Sequence, residues 1–317
     1  MGLTVRTLLR DEVSSLADLA AEAAPLLRFT PEDLERNLFE PGASGENLRL
    51  ALADGARIVG VACGTVRPLL DSRQPSSSPE GSAGHVKLLA VRATERRRGH
   101  GSRLLAELEG ALREQNAQRI LLDGAAPVYL QPGVPTTSRR ALSFFRRHGY
   151  VEVGQRRSLA AVLDRLDLDT RRDEERLGER GFEVRRARTD ERESLVAAVR
   201  RSFSPAWAEE VDHSLDFPRA SLHVALRGGS LSAFAVAGLW ARNAFGPMGT
   251  LEACRGQGVG TTLLRRCLRD LSQAGEKEAV ISWIGPETFY RRSLGVTNVL
   301  TYAVLLKDRP TDHPSGN

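Results

Sequence analysis

The chain has little cysteine, lysine or aromatic content and no long apolar run, and each shortage excludes something. Its three cysteines, Cys63, Cys254 and Cys267, are odd in number and scattered. Neither a disulfide framework nor a metal cluster is expected from them. Lysine occurs only at Lys87, Lys277 and Lys307, so the net charge of +5 rests almost wholly on arginine. That reads as genome composition bias. The basic pairs are dispersed and aromatics make up only 5% of the chain, so no nucleic-acid partner is expected. No apolar stretch approaches the roughly 18 residues of a membrane span. The opening residues, Met1 to Leu9, read as a first strand and not as a leader. No membrane partner is expected, and the cytoplasm is the default compartment.

What is present is core-forming material and a repeat. Hydrophobic residues are 41% of 317, enough for two domains of ordinary size. One short phrase is written twice. Arg96-Arg97-Arg98-Gly99-His100-Gly101 opens a helix through Leu104, Leu105 and Leu108. Arg255-Gly256-Gln257-Gly258-Val259-Gly260 opens another through Leu263, Leu264, Cys267 and Leu268. Both have the form Arg-x-x-Gly-x-Gly, and both helices carry apolar residues at spacings of three and four. A glycine-rich turn at a helix start exposes backbone N–H groups, and the helix dipole adds positive potential. That is a ready diphosphate site.

The surrounding order also repeats. A short strand (Leu3–Leu8; Phe182–Ala187) precedes a helix from Asp11 or Asp190, with the aspartates at N-cap positions. Hairpin strands follow (Arg49–Val66; Ser221–Leu239), then the glycine turn, then a buried strand (Arg119–Asp123; Ala279–Trp283). A helix ending at Gly149 or Gly295 and a last strand close each half. The period is far above a solenoid's, so it marks duplicated domains. Residues 1–165 and 182–307 are the two domains, with a charged linker over 166–181 and a disordered tail over 308–317. Gln74 to Gly84 reads as a mobile loop before a strand from His85 to Val91.

Two familiar glycine motifs fail here. A dinucleotide fingerprint needs a third glycine where Thr261 stands, and a P-loop needs lysine after Gly260. The duplicated phrase instead resembles the signature of the GNAT superfamily of N-acetyltransferases, over nearly the whole chain as two tandem domains. The resemblance implies an α/β (α+β) fold. Each domain would be a mixed, mostly antiparallel sheet flanked by helices, with the fourth and fifth strands splayed into a wedge for acetyl-CoA. It places the diphosphate on Arg96, Arg97, Arg98, Gly99, His100, Gly101 and Ser102, and on Arg255, Gly256, Gln257, Gly258, Val259, Gly260 and Thr261. It lays the pantetheine arm along Leu89, Ala90 and Val91, and along Met248, Gly249, Thr250 and Leu251. The Arg97–Arg98 and Arg265–Arg266 pairs are candidates for the 3′-phosphate. Gly246-Pro247 makes a poor central strand; a loop is the alternative there.

A narrower resemblance is to bacterial tandem-GNAT glucosamine/glucosaminide N-acetyltransferases. It rests on Tyr129-Leu130-Gln131-Pro132-Gly133-Val134-Pro135, Gly246-Pro247-Met248-Gly249, Trp283-Ile284-Gly285-Pro286 and Phe289-Tyr290. Mycothiol synthase is the rival. The implied reaction moves an acetyl group to a primary amine of a small molecule, with an amino sugar or cell-wall fragment foremost. In the superfamily a tyrosine after the fifth strand protonates the leaving sulfur, and Tyr290 stands there. The first half has Phe144-Phe145, which cannot donate a proton. The second domain is therefore expected to be catalytic. A backbone N–H near Gly249 to Leu251 is the expected oxyanion donor. Glu252 and Glu287 are candidate bases; His213 and His223 read as structural, and Cys254 as no nucleophile. Trp207 and Trp240 are candidate sugar-stacking walls. Another class, a CoA-binding pseudo-enzyme, stays open, and the sequence sets no oligomeric state.

Overall fold

The computed structural model describes residues 2–39, 47–68, 81–124, 130–295 and 298–308. Tyr129, most of the 74–84 loop and the tail beyond Asp308 lie outside them. The first half runs β1 (Thr4–Thr7), α1 (Ala17–Ala23), α2 (Pro31–Phe39), β2 (Leu48–Asp54), β3 (Arg57–Pro68), β4 (Ser82–Val91), α3 (His100–Glu114), β5 (Arg119–Leu122), β6 (Val134–Pro135), α4 (Arg139–Arg147) and β7 (Val151–Val162). After α5 (Arg171–Glu179) the order recurs: β8 (Phe182–Arg186), α6 (Arg192–Ser202), α7 (Pro205–Asp216), β9 (Ser221–Arg227), β10 (Ser230–Ala237), β11 (Ala244–Thr250), α8 (Val259–Gln273), β12 (Glu278–Ile281), α9 (Glu287–Leu294) and β13 (Asn298–Asp308).

The same local chemistry builds both copies. α2 and α7 each begin with proline at the first helical position, after Thr30 or Ser204 as N-cap. Ser204 Oγ accepts from Trp207 N at 3.1 Å. The earlier turns differ from expectation. Asp11 and Asp190 fall inside their first turns, and the capping carboxylates are Glu12, on Leu9 N–H at 2.9 Å, and Glu191, on Arg188 N–H at 3.0 Å. A glutamate three residues on can reach back to the cap N–H, which the shorter aspartate at its own position cannot.

The strands form one sheet in the order β1-β2-β3-β4-β5-β13-β7-β12-β11-β10-β9-β8, with β6 paired to β13. Pairing is antiparallel except for β4–β5 and β11–β12. Those parallel pairs are brief. β4 and β5 separate after His85↔Leu121, and β11 and β12 after Phe245↔Ile281. The expected wedge is present twice.

The halves are not separate in space as the boundaries at 165 and 182 suggest. Their last strands are exchanged: β13 enters the first half beside β5, with Leu305 opposite Leu122, and β7 enters the second beside β12, with Ala160 opposite Val280. The stretch expected as a linker holds α5. It docks on α8 through buried Leu177 and the pairs Asp173–Arg265 and Glu174–Arg266, at 3.1 and 2.8 Å. Gly246-Pro247 lies within β11 as a cis peptide, so the strand reading holds over the loop. Helices cover both faces in each half, and four apolar clusters fill the layers between.

Candidate active site

Helix α8 starts at a sharp glycine turn. Gly256 and Gly258 take left-handed backbone, φ +75° and +89°, with open space where a Cβ would stand. Glycine is the residue that adopts this without strain. The first intrahelical bond is Thr262 N to Gly258 O at 3.0 Å, so the N–H groups of Val259, Gly260 and Thr261 have no helical acceptor. Arg255 braces the turn by donating from Nε to Thr250 O at 3.3 Å.

This turn opens on a cavity of about 850 Å³ between β11, α8, β12, α7 and α9, within the usual size of a ligand site. Of the expected second-half residues, Met248, Gly249, Thr250, Arg255, Gly256, Gly258, Val259, Gly260, Thr261 and Tyr290 line it. Leu251, Gln257 and Glu252 do not. Gln257 donates to Ala253 O at 3.0 Å. Leu251 N–H is used on Ser232 O at 2.9 Å. Alternation along an antiparallel pair turns Gly249 N–H the same way, leaving Thr250 N–H directed toward the splay. Glu252 is exposed on the turn before the glycines. Glu287 is tied to Arg291 and Arg157, which hold its carboxyl below the usual carboxylate range. The Arg265–Arg266 pair, offered for a 3′-phosphate, is engaged with α5 instead; the i, i+3 and i+4 rows of α8 face that helix.

Tyr290 is 7% exposed, and burial pushes its hydroxyl up to about 12. Trp207, Trp240 and Trp283 all line the cavity, with Phe203 and Phe289. The sequence reading missed Glu210. It follows Trp207 by three on α7, is 2% exposed, and lines the same cavity. The i, i+3 relation to a candidate wall tryptophan was the available signal. His223 is buried against Asp270 at 2.7 Å, and burial lowers its pKa, in line with a structural role. Among the described residues no three His, Cys, Asp or Glu side chains gather as metal ligands, and no helix is long and apolar enough to cross a membrane.

The Acetyltransferase (GNAT) family model matches residues 14–150 and again 187–295. The chain belongs to the GNAT acetyltransferase family. Solved structures share this tandem GNAT fold. One is the GCN5-related glucosamine N-acetyltransferase region of a fungal multi-domain GH3 beta-N-acetylglucosaminidase, with TM-score 0.71 and 18% identity. The match covers 96% of this chain but 38% of that one. Another is a tandem GNAT protein from the clavulanic acid biosynthesis pathway, with TM-score 0.68, 17% identity, and 98% and 100% of the two chains covered. A third is a GCN5-related N-acetyltransferase from Sphaerobacter thermophilus, with TM-score 0.63, 17% identity, and 96% and 95% covered. No curated protein matches by sequence.

The two GNAT halves correspond in register. From β4 through α3 to β5, positions 159 apart correspond: α3 starts at His100 and α8 at Val259, and the parallel pair His85↔Leu121 recurs as Ala244↔Val280. Arg96 Nε donates to Val91 O at 2.8 Å as Arg255 does to Thr250 O. Arg97 and Gly99 repeat the left-handed turn at φ +68° and +81°. The last helices match as well: a Cβ on Gly101 would be 3.5 Å from Phe144, and one on Gly260 3.6 Å from Phe289. Ser102 meets His148 at 3.0 Å as Thr261 meets Ser293 at 3.3 Å. Phe145 thus occupies the place of Tyr290.

Around that shared frame the side chains of the first half differ. Lys87 stands for Gly246, and Asp123, bonded to His85 at 2.8 Å, stands for Ser282. Arg96 is ion-paired with Glu22, and Arg98 with Glu95 at 3.2 Å. Arg255 has no carboxylate within ion-pair reach among the described residues. Leu89, Ala90 and Val91 pair with β3 on one side and face the splay on the other.

Proposed function

We propose that this GNAT chain is an acetyl-CoA-dependent N-acetyltransferase whose second half carries the reaction, with a small-molecule primary amine, foremost an amino sugar, as acceptor. One observation carries the reading. A single cavity is lined by the Arg255–Thr261 turn, by β11 and by Tyr290.

The residues present fit the nucleotide. Left-handed Gly256 and Gly258 leave an open cradle. The unsatisfied N–H groups of Val259, Gly260 and Thr261 would hold a diphosphate, with Arg255 as the available cation. Among the described residues the edge of β11 that faces β12 has no strand partner beyond Phe245 and offers its amides to an extended arm. When bound, acetyl-CoA supplies an acetyl group activated as a thioester.

The chain's own groups then do three things. Thr250 N–H, directed into the splay, stabilises negative charge that develops on the carbonyl oxygen. Tyr290, kept protonated by burial, gives a proton to the departing sulfur. The indoles of Trp207 and Trp240 offer faces to a sugar ring. The first half serves as scaffold: Phe145 cannot donate a proton, and Glu22 and Glu95 partly neutralise its anion turn. The amino-sugar preference draws on the glucosamine N-acetyltransferase region among the structural relatives and on the Trp-lined cavity.

Thiol release from acetyl-CoA across a panel of amines tests the reading. Tyr290→Phe should lower kcat by about 10²-fold while calorimetric CoA affinity stays within twofold. Unchanged turnover would remove Tyr290 from the role, and absence of CoA binding would end the proposal.

A further inference from the structure

Gly249 stands in β11 between Met248 and Thr250. Strand alternation sends those two side chains to one face and leaves the bare Cα of Gly249 on the other. Met248 and Thr250 meet α8: a Cβ on Gly260 would lie 3.1 Å from Thr250 Oγ1 and 3.6 Å from Met248 Cε. On the opposite face the ring of Phe203 is laid against Gly249. A Cβ at Gly249 would stand 2.5, 2.8 and 2.9 Å from three of its ring carbons, so the ring lies there because the strand carries glycine at this point. The ring is braced from behind. Its centroid is 5.2 Å from that of Phe234, edge to face, and 5.9 Å from the Trp207 ring. Phe234 is itself the residue opposite Gly249 on β10. Phe203, Gly249 and Thr250 all line the cavity.

We propose that Phe203 sets the length of the acyl group: its ring, laid on Gly249 beside Thr250 N–H, admits acetyl and shuts out butyryl and longer chains. This rests on the acetyltransferase reading above, in which Thr250 N–H meets the thioester carbonyl. An acyl chain held there has Phe203 over one face and Met248 and Phe289 toward the other. At the far end Phe245 and Ile281 bring the strands back together. The last two belong to the sheet and Met248 to the strand edge, whereas Phe203 enters from the end of α6, its N–H on Val199 O at 2.9 Å. It is the wall that one side chain alone moves. The transfer balances at any chain length. The amine nitrogen forms the C–N bond to the acyl carbon, the C–S bond breaks with its electron pair on sulfur, and one N–H proton ends on sulfur, giving amide and thiol. Selection by length therefore lies in fit. A firm apolar wall discriminates by about 10- to 200-fold per methylene, and packing between Phe234 and Trp207 makes this wall firm.

The test uses the full chain with glucosamine as acceptor and acetyl-, propionyl-, butyryl- and hexanoyl-CoA as donors, read by thiol release and product mass. Wild type should lose at least about tenfold in kcat/KM from acetyl to butyryl. Phe203→Ala should bring the two donors within about threefold of each other, and Phe203→Leu should fall between. Free CoA, which carries no acyl chain, should bind wild type and both variants alike by calorimetry. Wild type that uses butyryl-CoA as well as acetyl-CoA overturns the inference. So does an acetyl-to-butyryl ratio unmoved in a variant that still melts cooperatively; should the alanine variant fail to fold, the milder leucine variant decides. If wild type releases no thiol with any donor, the acetyltransferase reading fails for this acceptor, and direct binding of acetyl-CoA and butyryl-CoA decides the role of Phe203. A Kd ratio that favours acetyl-CoA in wild type and collapses in the variants upholds the length limit. A ratio equal in wild type and variants, or no binding of either donor, overturns it.

Discussion

The indole of Trp283, on the wall of the second-half cavity, lies against Gly124 of the first half. A Cβ at Gly124 would stand 3.0 Å from its Cζ2 and 3.1 Å from its Cη2. Trp240, on another wall, is held from the same side, where Asn37 donates to its carbonyl at 3.1 Å. Two of the three cavity tryptophans are therefore positioned by the half that lacks Tyr290. The first half thus helps to shape the cavity of the second.

That relationship gives a measurable consequence. Gly124→Ala places a methyl on the indole and 2.7 Å from Gln131 O, at φ +78°. Stability should fall by about 1–3 kcal/mol. The acceptor KM should rise several-fold while CoA affinity holds. All three tryptophans of the chain line this cavity, so intrinsic fluorescence should shift when wild type binds its acceptor. It should shift less in the variant. An unchanged acceptor KM in a folded Gly124→Ala would separate the two halves functionally.

The two anion turns provide an internal control. Gly99 and Gly258 both sit at φ above +80° with nothing within 4 Å of a Cβ. Alanine at either should cost about 1–2 kcal/mol through backbone conformation alone. Only Gly258→Ala should abolish the calorimetric CoA signal, since Glu22 and Glu95 sit on the first turn's arginines. Equal loss of CoA heat from both variants would show that both wedges bind.

Much of this was legible because it is local. Arg-x-x-Gly-x-Gly fixes a turn from six adjacent residues, and its duplication made two copies of one strand order readable. The exchange of β7 and β13 was not legible. Both strands follow a short helix, and each carries an apolar stretch that fits the edge of either fifth strand by pattern alone. Glu210 was missed for a related reason. A glutamate in a helix reads as solvated surface, and only the packing of α7 against β11 brings it into the cavity. Glu252, adjacent in sequence to the turn, was the nearer guess, but a 3₁₀ turn faces it to solvent.

Strand exchange predicts how the halves behave when cut apart. A fragment of residues 1–165 lacks β13, leaving β5 without its antiparallel neighbour and β7 without either of its partners. Residues 166–317 lose β7 from between β12 and β13. Exposed apolar strand edges aggregate. Each fragment alone should be insoluble or unfolded by circular dichroism, and co-expression should return one complex of full-chain size by gel filtration. A soluble, cooperatively melting 1–165 fragment would argue that each last strand can fold back into its own half.

Lys87, at the position equivalent to Gly246, tests how the two halves diverge. It is buried, with Nζ donating to Asn37 O at 2.5 Å, and burial followed by nearby Arg67 lowers its pKa from 10.5 to about 7. Between those values the unfolded chain binds a proton that the folded chain does not. Stability from this group therefore rises as pH climbs from about 7 toward 10.5, and the penalty is full below about 7. Lys87→Met keeps the stem and removes the charge. Against that gain stand two hydrogen bonds lost, by Asn37 O and, at 3.5 Å, by Asn47 Oδ1, about 1 kcal/mol each. At pH 6.5 the variant should melt higher than wild type by roughly 2–6 °C. The gap should close as pH is raised to 10, because giving up the proton that the unfolded chain holds costs less as pH nears 10.5. Melting curves of the pair across that range read the slope directly, and a gap that stays constant with pH would mean that Lys87 keeps its proton throughout.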